Sequence, residues 1–167
     1  MHYTRWLRHG DPSIRLTAET PEEFFLARLK KDGECLIWTG YKNAEGYGKM
    51  PYHGEQIYAH RYSWERSNKP LPGRTEIDHV CHTPSCVNPS HLRPATSSQN
   101  KANLSGPRTD NKSSGLRGVY PHGSGWRVRV MKDKRSINFG TYRTLEEAAQ
   151  VAEKARTELF GEYAGRG

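Results

Sequence analysis

The 167-residue sequence predicts an α+β protein built from two small modules. Three observations carry that expectation. Apolar positions switch between two-residue alternation and helical spacing along the chain. A polar stretch containing Gly and Ser, without aliphatic side chains, interrupts them at 105–115. Only 34% of residues are hydrophobic, against 16 Gly and 10 Pro, so short elements joined by turns are expected rather than one large core. Modules this small bury too little surface to rely on packing alone, and a staple is expected.

Residues 1–20 carry Arg5, Trp6 and Arg8 followed by a Gly-Asp-Pro turn; they read as an arm or a short helix with irregular chain after it, with no firm structure assigned. At Thr20 the segment TPEEFFLARLKK offers an N-cap, Pro at the first helical position, acids in the first turn and bases at the end. It predicts a helix burying Phe25, Leu26 and Leu29. CLIWTG from Cys35 predicts a strand, YKNAEGYGKM a turn-rich loop, and QIYAHRYSW a strand or the start of a helix. The stretch from Lys69 to Thr96 is so rich in Pro, Cys and His that a metal-organised loop is expected in place of regular structure. Thr96 and Gln99 form a capping box opening the helix SSQNKANL.

Beyond the polar stretch, LRGVY, GWRVRVM and RSINFG predict three strands. A helix follows from Thr144, capped with Glu147, with Leu145, Ala148, Ala149, Ala152, Ala155 and Leu159 as its apolar positions and Gly161 as its stop. The expected organisation is an arm and helix at 1–32, a first module at 33–104, a linker at 105–115 and a second module at 116–167.

A formal net charge of +8 and a pI near 9.5 suit a polyanion, with nucleic acid the leading candidate. No segment approaches the roughly 18 consecutive apolar residues of a membrane span. The N-terminus also lacks the apolar segment of a secretion signal, so no membrane partner and a cytoplasmic protein are expected. Inside a cell, Cys35, Cys81 and Cys86 read as thiols or metal ligands, and their odd number argues against a disulfide framework.

The densest signal is Asp78-His79-x-Cys81-x4-Cys86-x-Asn88-Pro89-x-His91-Leu92, followed by Asn100. Two Cys and one His with four-residue gaps can wrap one Zn²⁺, and Cys35 is the remaining thiolate for its fourth position. His82 is the alternative imidazole. Three thiolates and one imidazole close the coordination shell, which makes such a zinc structural.

These motifs, DHxC, CxNPxHL and the later Asn, resemble the HNH nuclease motif in the version shared with His-Cys-box homing endonucleases. CLIWTGYKNAEGYGKM and YAHRYSW resemble the strands preceding that motif in many phage HNH proteins, so the resemblance covers residues 33–104. It implies a zinc-stabilised ββα-metal HNH nuclease domain: His79 as general base, Asp78 and Asn100 as ligands of a catalytic Mg²⁺ or Mn²⁺, and Asn88 orienting the loop and His79. The last His of the three-letter motif is replaced by Asn100, as in the His-Cys-box subgroup. Arg61, beside His60, is a candidate clamp for the scissile phosphate.

In the second module, Trp126-Arg127-Val128-Arg129-Val130 alternates, so valines and arginines should face opposite ways. Between residues 108 and 143 nine Lys and Arg stand against two Asp. Arg117, Trp126, Arg127, Arg129 and Arg135 are the candidate DNA contacts, with Tyr120 among them. RGVY, GWRVRV and FGTYRTLEEAAQVAEKA resemble the plant ethylene-response-factor DNA-binding domain, which implies a sheet laid on double-stranded DNA. The combined expectation is a phage-type HNH homing endonuclease, monomer or homodimer, acting in the host cytoplasm if phage-encoded. The alternatives are a restriction or structure-specific HNH nuclease, or a non-catalytic zinc-stabilised DNA-binding regulator. Deleting residues 106–167 is expected to weaken and broaden DNA recognition and leave the chemistry intact.

Overall fold

The computed structural model describes residues 20–68, 70–72, 75–107 and 111–166. The expected arm with Arg5, Trp6 and Arg8 lies outside the described residues. Thr20 caps α1 (Pro21–Leu26) through the capping box with Glu23, whose carboxylate returns to the Thr20 amide at 2.8 Å. The helix was expected to run on to Lys31 but stops at Leu26. Leu29–Asp32 is instead a strand, β1, paired antiparallel with β2 (Cys35–Trp38) in the register Leu29↔Trp38. CLIW needs a hydrogen-bonding partner and Gly33, at φ 56°, allows the tight turn that supplies one. So short a helix buries Phe25 but leaves Leu26 47% exposed.

A second hairpin pairs β3 (Lys49–Tyr52) with β4 (Glu55–Tyr58) across His53 and Gly54, both at positive φ. The strand-or-helix ambiguity of QIYAHRYSW resolves as both, because β4 passes directly into α2 (Ala59–Ser67). Phe25, Trp38, Met50, Ala59 and Val87 form the core between these elements. A Cβ at Gly48 would collide with the fully buried indole of Trp38, which explains a glycine there.

The stretch expected to be all irregular is bounded by regular structure. β5 (Glu76–His79) pairs antiparallel with β6 (Leu92–Ala95), setting Asp78 opposite Arg93 and His79 opposite Leu92. Pro94 is tolerated because each strand of a two-stranded sheet has a free edge. The connection between β5 and β6, residues 80–91 with a 3-10 turn at Pro89–His91, is a loop. α3 (Ser97–Ala102) follows, with the expected Thr96–Gln99 capping box.

The C-terminal part is the expected sheet and helix: β7 (Val119–His122), β8 (Gly125–Lys132) and β9 (Arg135–Tyr142), in that order and antiparallel, covered on one face by α4 (Leu145–Phe160). Ala148 and Ala152 bring α4 close to Val119 and Val128. A second cluster joins Val130, Ala155, Phe160 and Ala164 to Ala102 of α3, so apolar packing crosses from the first half of the chain to the second. Among the described residues, no helix is long and apolar enough to cross a membrane.

Candidate active site and metal centre

Two amide hydrogen bonds of the 80–91 connection build a candidate metal centre. Val87 N donates to Leu36 O at 2.7 Å and Trp38 N to Ser85 O at 2.8 Å, zipping the loop onto β2 and bringing Cys35 to Cys81, Cys86 and His91. Their ligand atoms all lie within 4.8 Å of one another, and His91 Nδ1 is 3.6 Å from the Sγ of both Cys35 and Cys86. That spacing and a three-sulfur, one-nitrogen donor set fit a tetrahedral cation. Burial pushes the Cys86 thiol up to about 12, so its thiolate form calls for a cation beside it. His82 stands outside the cluster. Asn88 caps the 3-10 turn and its amide donates to Glu34 O at 2.8 Å; it braces the loop beside Cys35, and among the described residues has no hydrogen bond to His79.

His79, at the end of β5, is 6% exposed and outside the sulfur cluster. Its Nε2 lies 3.0 Å from Cys86 O. A carbonyl can only accept, so Nε2 carries the proton and Nδ1 keeps the lone pair. Burial lowers the pKa below 6.5, against the opposing influence of the Cys86 hydrogen bond and of Asp78, which favours a neutral ring. The ring meets His60 edge-on, with centroids 4.9 Å apart, and Tyr47 at 5.8 Å. Burial pushes His60 down to about 3, and its Nδ1 has no partner among the described residues.

Asp78, 2% exposed, receives Arg93 Nε at 2.8 Å and Asn103 Nδ2 at 2.8 and 2.9 Å. Asn103 Nδ2 also reaches His79 O at 3.0 Å, so one amide ties the adjacent Asp78 and His79 together. The side chain of Asn100 meets a different carboxylate, donating to Glu76 at 2.6 Å. Strand alternation sets Glu76 and Asp78 on one face of β5, and Asn103, the residue that caps the C-terminus of α3, follows Asn100 by three positions.

Asn103, Glu76, Arg93 and His60 were not singled out in the sequence. The two asparagines' spacing was a usable signal; the Arg93 contact depends on strand register, which the sequence did not disclose. Arg61 is bound within the fold, by Glu65 at 3.1 Å and Thr75 O at 3.2 Å.

His60, Asp78, His79, Cys81, Cys86, His91 and Asn100 lie in the part of the chain, residues 57–102, that matches the family model described as HNH endonuclease, while Cys35 and Asn103 lie outside it. An uncharacterized HNH endonuclease of Acanthamoeba polyphaga mimivirus is 29% identical over 126 residues, covering 75% of this chain and 62% of that protein. Residues 57–102 of the chain are an HNH endonuclease domain. Protein 3.8 of Escherichia phage T7 is 31% identical over 107 residues, 63% of this HNH chain and 86% of the phage protein. Protein 7.7 of the same phage is 32% identical over 71 residues, 42% of this chain and 55% of the phage protein. The chain thus spans little more than half of Protein 7.7. No solved structure matches it.

Beside the HNH region, the candidate DNA contacts of the second half divide into four groups. Arg127 and Arg129 lie on the sheet face away from α4, where Tyr120 pairs across from Arg127 and the Arg129 guanidinium lies 4.9 Å from the Tyr120 ring centre. Arg127 also contacts His122. Arg135 is exposed at the start of β9.

Trp126 shares the parity of Val128 and packs on the core with Val119 and Ala148, so the expected place among the arginines is corrected. Arg117 is corrected as well. Its guanidinium donates to the carbonyls of Ala102 at 2.7 Å, Leu104 at 3.4 Å, Ala164 at 3.1 Å and Arg166 at 2.7 Å, leaving it a brace between the two halves. Burial lowers its pKa to about 10. Between α3 and the sheet lies a groove of about 1050 Å³, lined by Ser97, Ser98 and Lys101 on one side and Tyr120, Arg129 and Lys134 on the other.

Proposed function

We propose that this protein is a site-specific DNA endonuclease of the phage-type HNH homing kind, hydrolysing phosphodiester bonds with a divalent cation. The observation that carries the reading is the state of His79: a buried, neutral imidazole whose Nε2–H is spent on Cys86 O, leaving Nδ1 as the proton acceptor. In the proposed reaction a water molecule gives its proton to Nδ1 while its oxygen attacks phosphorus. The bond from phosphorus to the 3′ oxygen then breaks.

Asp78 and Asn100 are the oxygen donors assigned to Mg²⁺ or Mn²⁺, with Glu76 on the same face and Asn103 bracing Asp78. An oxygen-only set with few protein ligands suits such a hard ion, which completes its shell with water and phosphate oxygens. When bound, the cation stabilises the charge developing on the departing oxygen. Zn²⁺ in the Cys35, Cys81, Cys86 and His91 cluster is assigned the structural role, since four protein ligands leave no open position.

The arginine-bearing sheet face and the groove beside α3 are the proposed surface for double-stranded DNA. Relatives from a phage and a giant virus support the mobile-element reading. The test is cleavage of supercoiled plasmid with Mg²⁺ or Mn²⁺ by wild type, His79→Ala and Asp78→Ala. Cleavage by wild type and its loss in both variants, with DNA binding retained, is expected. Equal DNA binding and no cleavage by any of the three would leave the non-catalytic regulator.

A further inference from the structure

Arg93 touches two parts of the molecule that the sequence assigns to separate modules. On β6 it stands opposite Asp78 in register, and its Nε holds the buried carboxylate at 2.8 Å. Its Nη1 donates to Glu162 O at 3.1 Å and to the Glu162 carboxylate at 3.3 Å, both in the 3-10 turn Gly161–Tyr163 that follows α4. The ring of Tyr163 lies under the guanidinium, 3.8 Å from its carbon, and the Tyr163 hydroxyl donates to Pro94 O at 2.8 Å. Arg93 is only 14% exposed.

A guanidinium is a rigid planar fork of N–H donors, so fixing Nη1 and the plane on the C-terminal turn also fixes where Nε points. Tyr163 contributes the cation–π face and Glu162 the charge that lets Arg93 be shared between two anions. A lysine has a single ammonium on a flexible stem and cannot reproduce this three-way hold. Hydrogen-bond partners that orient a ligating carboxylate are part of a metal site even though they never touch the ion.

We infer that Arg93 is a positioning residue through which the turn Gly161–Tyr163 holds Asp78 in place for its cation, making the C-terminal half a component of the cleavage centre as well as a grip on DNA. This rests on the assignment of Asp78 as a cation ligand. It also reverses the expectation that removing residues 106–167 leaves the chemistry intact, because Arg93 would lose the anchors on its outer side.

The experiment measures Mn²⁺ binding to the full-length, zinc-loaded protein without DNA, by the electron paramagnetic resonance signal of free Mn²⁺. Tyr163→Leu, which keeps an apolar side chain in the packing but removes the ring, should weaken Mn²⁺ binding about tenfold. Glu162→Gln, at a side chain 74% exposed and thus tolerant of change, should weaken it by a smaller factor. In an Arg93→Lys background neither change should weaken binding further. Wild-type affinity in both Tyr163→Leu and Glu162→Gln, or an undiminished effect of Tyr163→Leu in the Arg93→Lys background, would overturn the inference while leaving the nuclease reading standing. Undiminished binding by Asp78→Asn would instead remove the cation site itself, and the inference with it.

Discussion

His79 and Cys86 are joined by a hydrogen bond from the imidazole Nε2 to the Cys86 carbonyl, 3.0 Å long. The same cysteine turns its sulfur toward Cys35 and His91, so one residue belongs to the metal centre and orients the candidate base. The loop that gathers the candidate metal ligands thus also orients His79.

Removing the metal should therefore cost both structure and reactivity. Treatment with a strong zinc chelator is expected to unfold the first half of the chain, because the cluster ties β2 to the loop between β5 and β6. Zinc content and the thermal melt followed by circular dichroism check this. Protein with no bound zinc and an unchanged melt would contradict it.

His79→Ala should reduce cleavage by about 10²- to 10⁴-fold, the usual worth of a positioned general base, with DNA affinity nearly unchanged. In wild type the base is active only when neutral, so the rate should rise with pH through the ionisation of His79. Burial sets that ionisation below 6.5, and the acid limb of the single-turnover rate should have its midpoint there. A midpoint at or above 6.5 would speak against His79 as the base.

His60 supplies a stability prediction. Its folded pKa, about 3, lies below its ordinary 6.5, so the unfolded chain binds more protons between those values. Its contribution is complete above about pH 6.5 and is lost progressively as the pH falls toward 3. His60→Phe should flatten part of the acid-side loss in melting temperature, measured against wild type across that range.

The two kinds of arginine should separate cleanly. Arg117→Ala removes a cation held by four carbonyls and is expected to destabilise the protein by about 2 kcal/mol, read by denaturant titration. Arg127→Ala and Arg129→Ala should leave stability within about 0.5 kcal/mol. Each should instead lower the slope of log affinity against log salt for duplex DNA by about one. An Arg117→Ala protein as stable as wild type would undo its assignment as a brace.

Local chemistry made much of the fold legible. An N-cap at Thr20 and capping boxes at Thr96 and Thr144 marked three helix starts, and all three are present, because a cap depends on residues close together; the box that Thr20 forms with Glu23 emerged only in the structure. The spacing of Cys81, Cys86 and His91 pointed to the candidate metal cluster in the same local way, while distant Cys35 entered as the one remaining thiol. Leu29–Asp32 escaped because a strand exists only with its partner, and the pairing with Cys35–Trp38 outweighed the helical character of the segment. Trp126 was grouped with the arginines although its alternation already put it with the valines.

By itself the sequence determined the mixed helix-and-sheet architecture, the four residues that converge as candidate metal donors and the adjacent Asp78 and His79, since each is written in residues close together or in residue types with few uses. The tertiary structure alone decided that Asn103 braces Asp78, that Arg117 joins the two halves, and that Arg93 is shared between Asp78 and Glu162. Those contacts bridge from 15 to 69 positions of chain, with Asp78 and Asn103 25 apart and Arg93 and Glu162 69 apart. Which distant groups meet is set by strand register and by how a helix docks, quantities that no local pattern of side chains encodes.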